Sequence, residues 1–378
     1  MPLRALLHKD SECGLLKSNS LRQSNFELLR LICMFLIVMH HFGMHACDRI
    51  NVNYLAISFN KVLVQLFTYG GKFGVDVFII MTGFFLVSKS FKISKIVRLY
   101  ALSSFYSVCI LLLGFAMGWS VSNKFILTSI FPVEFVSYWF ISDYLLLYLL
   151  FPIINVLLKR IDFYSYVYAL GIGGYVVCIF PMFTFSHSSG LLLFTYLYSI
   201  GAFIRLYGER IPAFFKSIWF PMITFVAIFV LLLMFDFLGD NLGSRFLLHN
   251  STFTSVADNP LMVCMSAGVF MVFSRIKIKS GLINSLAVSV FAVYLIHENQ
   301  LLKKVIWGDL FSPMRHFDSW LFLIYSVLCI LLVFLSCLMI DRLRILLLKL
   351  LRVDKIADRF LFYLDQRFNT MLDNIKIL

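Results

Sequence analysis

The chain has 378 residues, 61% of them hydrophobic and 14% charged, with a formal net charge of +13. A water-soluble domain carries roughly 45–50% apolar residues, and a folded surface grows too slowly with size to hide this excess, so a soluble fold is excluded. The positive charge lies in short tracts beside apolar runs, the habit of membrane-protein flanks and not of one basic face, so no nucleic-acid partner is expected.

Stretches such as Ser104 to Phe115 and Ile324 to Ile340 carry no charge. Extended to about 20 residues, such a run crosses a hydrocarbon layer of roughly 30 Å. Backbone amides in lipid must bond within their own segment or in a closed barrel, and the alternation of barrel strands is missing from the sequence. The expected fold is an all-α integral membrane bundle of about ten transmembrane helices. Residues 1–24 are a polar leading segment expected to be cytoplasmic. The first apolar run ends in His40, His41 and His45 and not at a small-residue cleavage site, so it is expected to remain as a helix. The spans are predicted at 26–46, 63–87, 98–118, 139–158, 165–185, 191–208, 217–238, 260–275, 284–302 and 319–341, forming one membrane domain over 25–341. The tail, 342–378, alternates basic, acidic and apolar residues and reads as an amphipathic helix on the inner leaflet.

Lysine and arginine set the orientation. Arg4, Lys9, Lys17, Arg22 and Arg30 precede or open the first span; Lys89, Lys92, Lys95 and Arg98 lie between the second and third. Lys159 with Arg160, then Arg205, Arg210 and Lys216, then Arg275, Lys277 and Lys279 fall on the same predicted side as the tail. Both termini are therefore expected in the cytoplasm. The eight cysteines are scattered without a CxxC pair; they read as small core residues, and no metal ligands are expected among them.

Charged and imidazole side chains inside a bilayer invite a functional explanation, because burying one at a helix centre costs about 2.5–3.5 kcal/mol on insertion scales. Arg30 and His41 are eleven positions apart, within about 20° of each other around the helix and roughly 16 Å apart along it. His45 lies one turn beyond His41, while His40 points elsewhere. Arg30 alone reads equally well as a flank residue. Asp76 falls in the outer half of the second span and His297, followed by Glu298, in the outer half of the ninth. Together His41, Asp76 and His297 bring a base, a carboxylate and a second imidazole to one depth from three helices, the parts of a general-base site. Lys95 and Arg98 open the third span at the opposite side, where cations suit anionic lipid heads or a phosphorylated ligand from the cytosol. A carrier or flippase for a glycan or anionic substrate would use the same buried polar residues as a binding or relay site.

The motifs resemble those of acyltransferase family 3. Asn25-Phe26-Glu27-Leu28-Leu29-Arg30 through His40-His41 matches its arginine, ten residues, histidine signature. Gly74-Val75-Asp76-Val77-Phe78 with Gly83-Phe84, the basic pair Lys95 and Arg98, Trp139-Phe140 with Tyr148, Pro152 and Asn155, and Tyr294-Leu295-Ile296-His297 follow in the family's order. The resemblance covers roughly residues 24–341 and implies an acyl-coenzyme A co-substrate, with no bound cofactor. The acyl group, usually acetyl, passes to a hydroxyl of a surface polysaccharide or its lipid-linked precursor. It further implies an essential His41 supported by Arg30, with Asp76 orienting His41, Lys95 and Arg98 binding the donor, and His297 and Glu298 serving acceptor or oxyanion. A bacterial inner membrane is the expected location, with membrane lipids around the chain; a homo-oligomer is left open.

Overall fold

The computed structural model describes residues 23–184 and 188–375. Residues 1–22 of the expected cytoplasmic segment 1–24, with Arg4, Lys9, Lys17 and Arg22, lie outside them, as do 185–187 and the last three residues of the tail. Every regular element among the described residues is a helix. Its elements are α1 (Ser24–Ala46), α2 (Phe59–Leu86), α3 (Ile93–Ala116), α4 (Trp139–Leu158), α5 (Phe163–Thr184) and α6 (Gly190–Arg210). Then come α7 (Trp219–Leu242), α8 (Pro260–Arg275), the bent pair α9 (Gly281–His297) and α10 (Gln300–His316), α11 (Phe322–Leu350) and α12 (Val353–Ile375). Among the described residues nine helices are long and apolar enough to cross a membrane, or ten if α9 and α10 form one bent span. The end of the bundle where α1 begins is called the lower end, the other the upper end.

α2 is the central post, with α1, α6 and α8 packed around it. Its approach to its neighbours is set by glycine. A Cβ at Gly74 would lie 2.9 Å from the Cys33 carbonyl oxygen, and one at Gly70 would lie 2.7 Å from that of Leu36, so α1 and α2 meet backbone to backbone. On α1 the buried residues Leu29, Cys33, Ile37 and Val38 recur at helical spacing, while Ile32 faces out. The outer helices keep apolar faces uncovered: Leu112 and Phe115 on α3, Phe225 and Phe237 on α7, Leu332 and Leu335 on α11. Such a belt is stable only against lipid.

Two departures from the sequence reading concern the ends. The ninth span is broken by a 70° bend. Its helix stops at His297, and Asn299 starts the next one, its side-chain oxygen accepting from Leu301 N at 3.0 Å while its amide donates to the Tyr138 hydroxyl at 2.9 Å. The expected boundary at 341/342 falls inside α11, which runs on to Leu350. Asp341 holds Arg344 one turn on at 2.7 Å and accepts from Tyr106 at 2.6 Å, so the charges are bound within the helix and nothing stops it. The stop comes at Arg352, whose φ of +57° is in the left-handed region. The amphipathic tail α12 then packs on the lower end of α3: Asp365 accepts from Ser94 N at 2.9 Å and Ser94 Oγ at 2.6 Å, a carboxylate at a helix N-terminus.

Candidate functional site

α1 carries His40 and His41 to the upper end and there changes winding, with a π-helical turn over Phe42–Ala46. Turns of this kind insert one extra residue and often mark functional positions. Here the turn stacks the His45 ring on that of His41 at 5.3 Å. α9 brings the partner. His41 Nδ1 is 2.8 Å from His297 Nε2, and His297 Nδ1 is 2.6 Å from the Val293 carbonyl oxygen one turn below.

These two distances fix the tautomers. A carbonyl oxygen only accepts, so His297 Nδ1 carries the hydrogen and the neutral ring offers Nε2 as an acceptor. His41 must then donate from Nδ1, and its Nε2 keeps a free lone pair. Glu298 Oε2 is 3.3 Å from His41 Nδ1 and 3.3 Å from His45 Nε2; both contacts are close charge–dipole pairs without the alignment of a hydrogen bond. Glu298 Oε1 takes Lys303 Nζ at 3.1 Å. His297 is fully buried, and His41 and Glu298 are mostly so. The three imidazoles His40, His41 and His45 line a cavity of about 190 Å3 with Glu298, Lys72, Trp139, Phe140, Phe78 and Phe291. Lys72 sits over the Trp139 ring, 5.1 Å from its centroid.

Asp76 does not orient His41. The face of α2 that meets α1 is its glycine face, where a Cβ at Gly71 would overlap the His40 ring. Asp76 is about 200° around the helix from Gly74, on the opposite side. Its charged neighbours are Lys72 and Asp258, with Ser266 beside it. The carboxylate at His41 is Glu298. Arg30 does not reach His41 either: it lies near the lower end, Nη1 3.4 Å from Glu27 and Nε 3.3 Å from the Met81 sulfur.

The lower end holds a second cavity of about 250 Å3, lined by Lys95, Arg98, Leu99 and Leu102 of α3, Tyr144 and Tyr148 of α4, and Phe291 of α9. The Lys95 ammonium is 6.0 Å from the Tyr148 ring centroid and shares its field with Lys92, Lys89 and Arg30. Arg98 is engaged by the tail: Nη2 donates to Asp358 at 2.6 Å, with both side chains more than half exposed. Asn155, from the Trp139-to-Asn155 block, ties the lower ends of α2, α4 and α6 together. It donates to the Leu86 carbonyl oxygen at 2.9 Å and accepts from the Tyr198 hydroxyl at 2.7 Å.

The structure thus joins His41, His297 and Glu298 at the upper end, gathers Arg30, Lys95 and Arg98 at the lower end, and places Asp76 away from His41, beside Lys72. Glu298, an acceptor or oxyanion candidate from the sequence, lies 3.3 Å from His41 Nδ1, and Phe291 and Lys72, which the sequence does not single out as site residues, line the same cavity. The sequence directs His40 away from the site, yet the ring packs 5.4 Å from that of His41. The only available signal for Glu298 was its adjacency to His297. Phe291 gave none, being one phenylalanine among 42.

No curated protein and no solved structure matches the chain. A family model does: the chain belongs to acyltransferase family 3, whose acyltransferase domain matches residues 23–342.

Proposed function

We propose that the protein transfers an acyl group, acetyl in the first instance, from acyl-coenzyme A to a hydroxyl of a surface polysaccharide or its lipid-linked precursor. The observation that carries the reading is the bond from His41 Nδ1 to His297 Nε2 at 2.8 Å, which leaves His41 Nε2 as a base in the upper cavity. The lower end faces the cytoplasm of a bacterial inner membrane in this reading, and the donor's phosphates sit near Lys95, Arg98 and Arg30. The acceptor hydroxyl enters from above. His41 Nε2 takes its proton as the oxygen attacks the thioester carbonyl. The carbon–sulfur bond then breaks, and the leaving thiolate recovers that proton from His41. His297 and Glu298 hold the imidazole in register and stabilise its charged form, while Lys72, which lines the same cavity, supplies a cation to the developing oxyanion.

The test is acetyl-coenzyme A turnover by purified protein with and without a lipid-linked glycan extract, for wild type and His41→Ala. Acceptor-dependent release of free coenzyme A that vanishes in the variant supports the reading. Wild-type turnover in His41→Ala overturns it.

One observation favours a second chemistry at the same place. Ligand atoms of His41, His297 and Glu298 all lie within 4.8 Å of one another, a spacing that suits a metal ion. Two imidazole nitrogens on one tetrahedral zinc are about 3.3 Å apart, so a metal must spread the 2.8 Å pair. Turnover that survives a strong chelator keeps the hydrogen-bonded base; loss reversed by added zinc assigns the metal.

A further inference from the structure

The two cavities have one side chain in common, Phe291. Its ring is 6.1 Å from Phe78, 6.5 Å from Phe140 and 6.2 Å from Tyr144, centroid to centroid. Aromatic rings at such separations are in packing contact. Phe78 and Phe140 belong to the upper cavity and Tyr144 to the lower, so the partition between them is centred on a single ring. Phe291 is half buried and lines both cavities.

The backbone just before it departs from α-helical winding. α9 passes through a tight 3-10 turn at Ala287–Ser289 just before Phe291, and such a turn inside a helical run often marks a hinge. Ser289 is fully buried, and its hydroxyl has no hydrogen-bond partner among the described residues. A shift of the upper part of α9 would swing the ring and carry His297 with it.

We infer that Phe291 is the gate between the donor and acceptor compartments. It swings aside to admit the thioester arm of the donor, limits the length of the acyl group that reaches His41, and seals the bundle against proton flow when no donor is bound. This rests on the reading that the donor docks at the lower end and the acceptor at the upper. A through-path from one side of a membrane to the other is a leak unless something of this kind closes it.

The experiment uses the full chain in proteoliposomes, as wild type, Phe291→Ala, Phe291→Leu and Phe291→Trp, each checked for monodispersity and melting temperature. A pH-sensitive dye inside the vesicles reads proton entry under an imposed gradient, with no donor or acceptor present. Phe291→Ala should leak on the order of tenfold faster than wild type, with Phe291→Leu between them. With donor and acceptor, the preference for acetyl- over hexanoyl-coenzyme A should fall by roughly tenfold or more in Phe291→Ala, the worth of at least one methylene of exclusion. Phe291→Trp should lose turnover while its donor KM stays near the wild-type value. A Phe291→Ala protein as tight as wild type with an unchanged chain-length ranking overturns the gate. A leak in the alanine variant with no acyl transfer by any of the four proteins, wild type included, from any donor keeps the partition and overturns the transferase reading instead, so the two failures are separable.

Discussion

The upper and lower cavities solve different problems with different means. Above, His41 is bonded to His297, His297 to a backbone carbonyl and Glu298 to Lys303, and the key ring has its tautomer dictated from a helix made far later in the chain. Below, the cations are separately placed, half exposed and loosely held: Lys95 leans on a tyrosine ring, and Arg98 answers to an exposed aspartate. Proton transfer needs a base held within a few tenths of an ångström. Docking a polyanion needs charge density, which tolerates mobile side chains. Mutations above should therefore strike the chemical step, and mutations below the affinity for donor.

The sharpest way to break that contrast is His41→Ala, which should lower turnover by about 10²–10⁴-fold, the usual contribution of a general base, with donor KM little changed in steady-state assays of coenzyme A release. His297→Ala comes next. Losing a hydrogen bond to an imidazole that becomes charged costs about 1.5–3 kcal/mol, or roughly 10–150-fold in kcat. His297→Gln, which keeps an acceptor group, should recover part of it; equal loss in both would make His297 a packing residue only. Below, Lys95→Ala should raise donor KM by about five- to tenfold and leave kcat within about twofold, an effect that shrinks as salt rises. A kcat loss as large as that of His297→Ala would erase the division of labour.

Asp76→Asn sharpens the same line from the other side. Because Asp76 lies across α2 from the histidines, its turnover should stay within about fivefold of wild type, in contrast to a base-orienting carboxylate. The smallest effect is expected from Asp358→Ala, which frees Arg98. An exposed ion pair is worth about 0–1 kcal/mol, so donor KM should fall by at most about fivefold. A rise in KM would mean that the tail positions Arg98 for the donor and does not compete with it.

Much of this architecture could be read from the residues alone. Long uncharged runs and the placement of lysine and arginine yield the helices, because lipid leaves a backbone few options. The arginine–histidine spacing in α1 and the late histidine in α9 named the two imidazoles that meet. The pairing of His41 with a carboxylate could not be read, because depth along a helix follows from counting, whereas facing depends on which side of α2 touches α1. Gly70, Gly71 and Gly74 decide that, and their stripe was visible, but the sequence does not say which helix it receives. The tail's docking on α3 was hidden for a similar reason. Amphipathicity predicts that a face will be covered and is silent on whether lipid or protein covers it.

The break between His297 and Glu298 also bears on how the molecule comes into being. α9 has 17 residues from Gly281 to His297, which as a helix reach about 26 Å, short of a bilayer core of roughly 30 Å. It is poorly suited to enter lipid as an independent unit and packs against α1, α3 and α11. His41 and His297 are 256 positions apart. At a synthesis rate of about 5–20 residues per second, the first imidazole waits roughly 13–50 s for its partner. On the proposed mechanism, the nascent bundle lacks a positioned base until its ninth segment is in place beside α1.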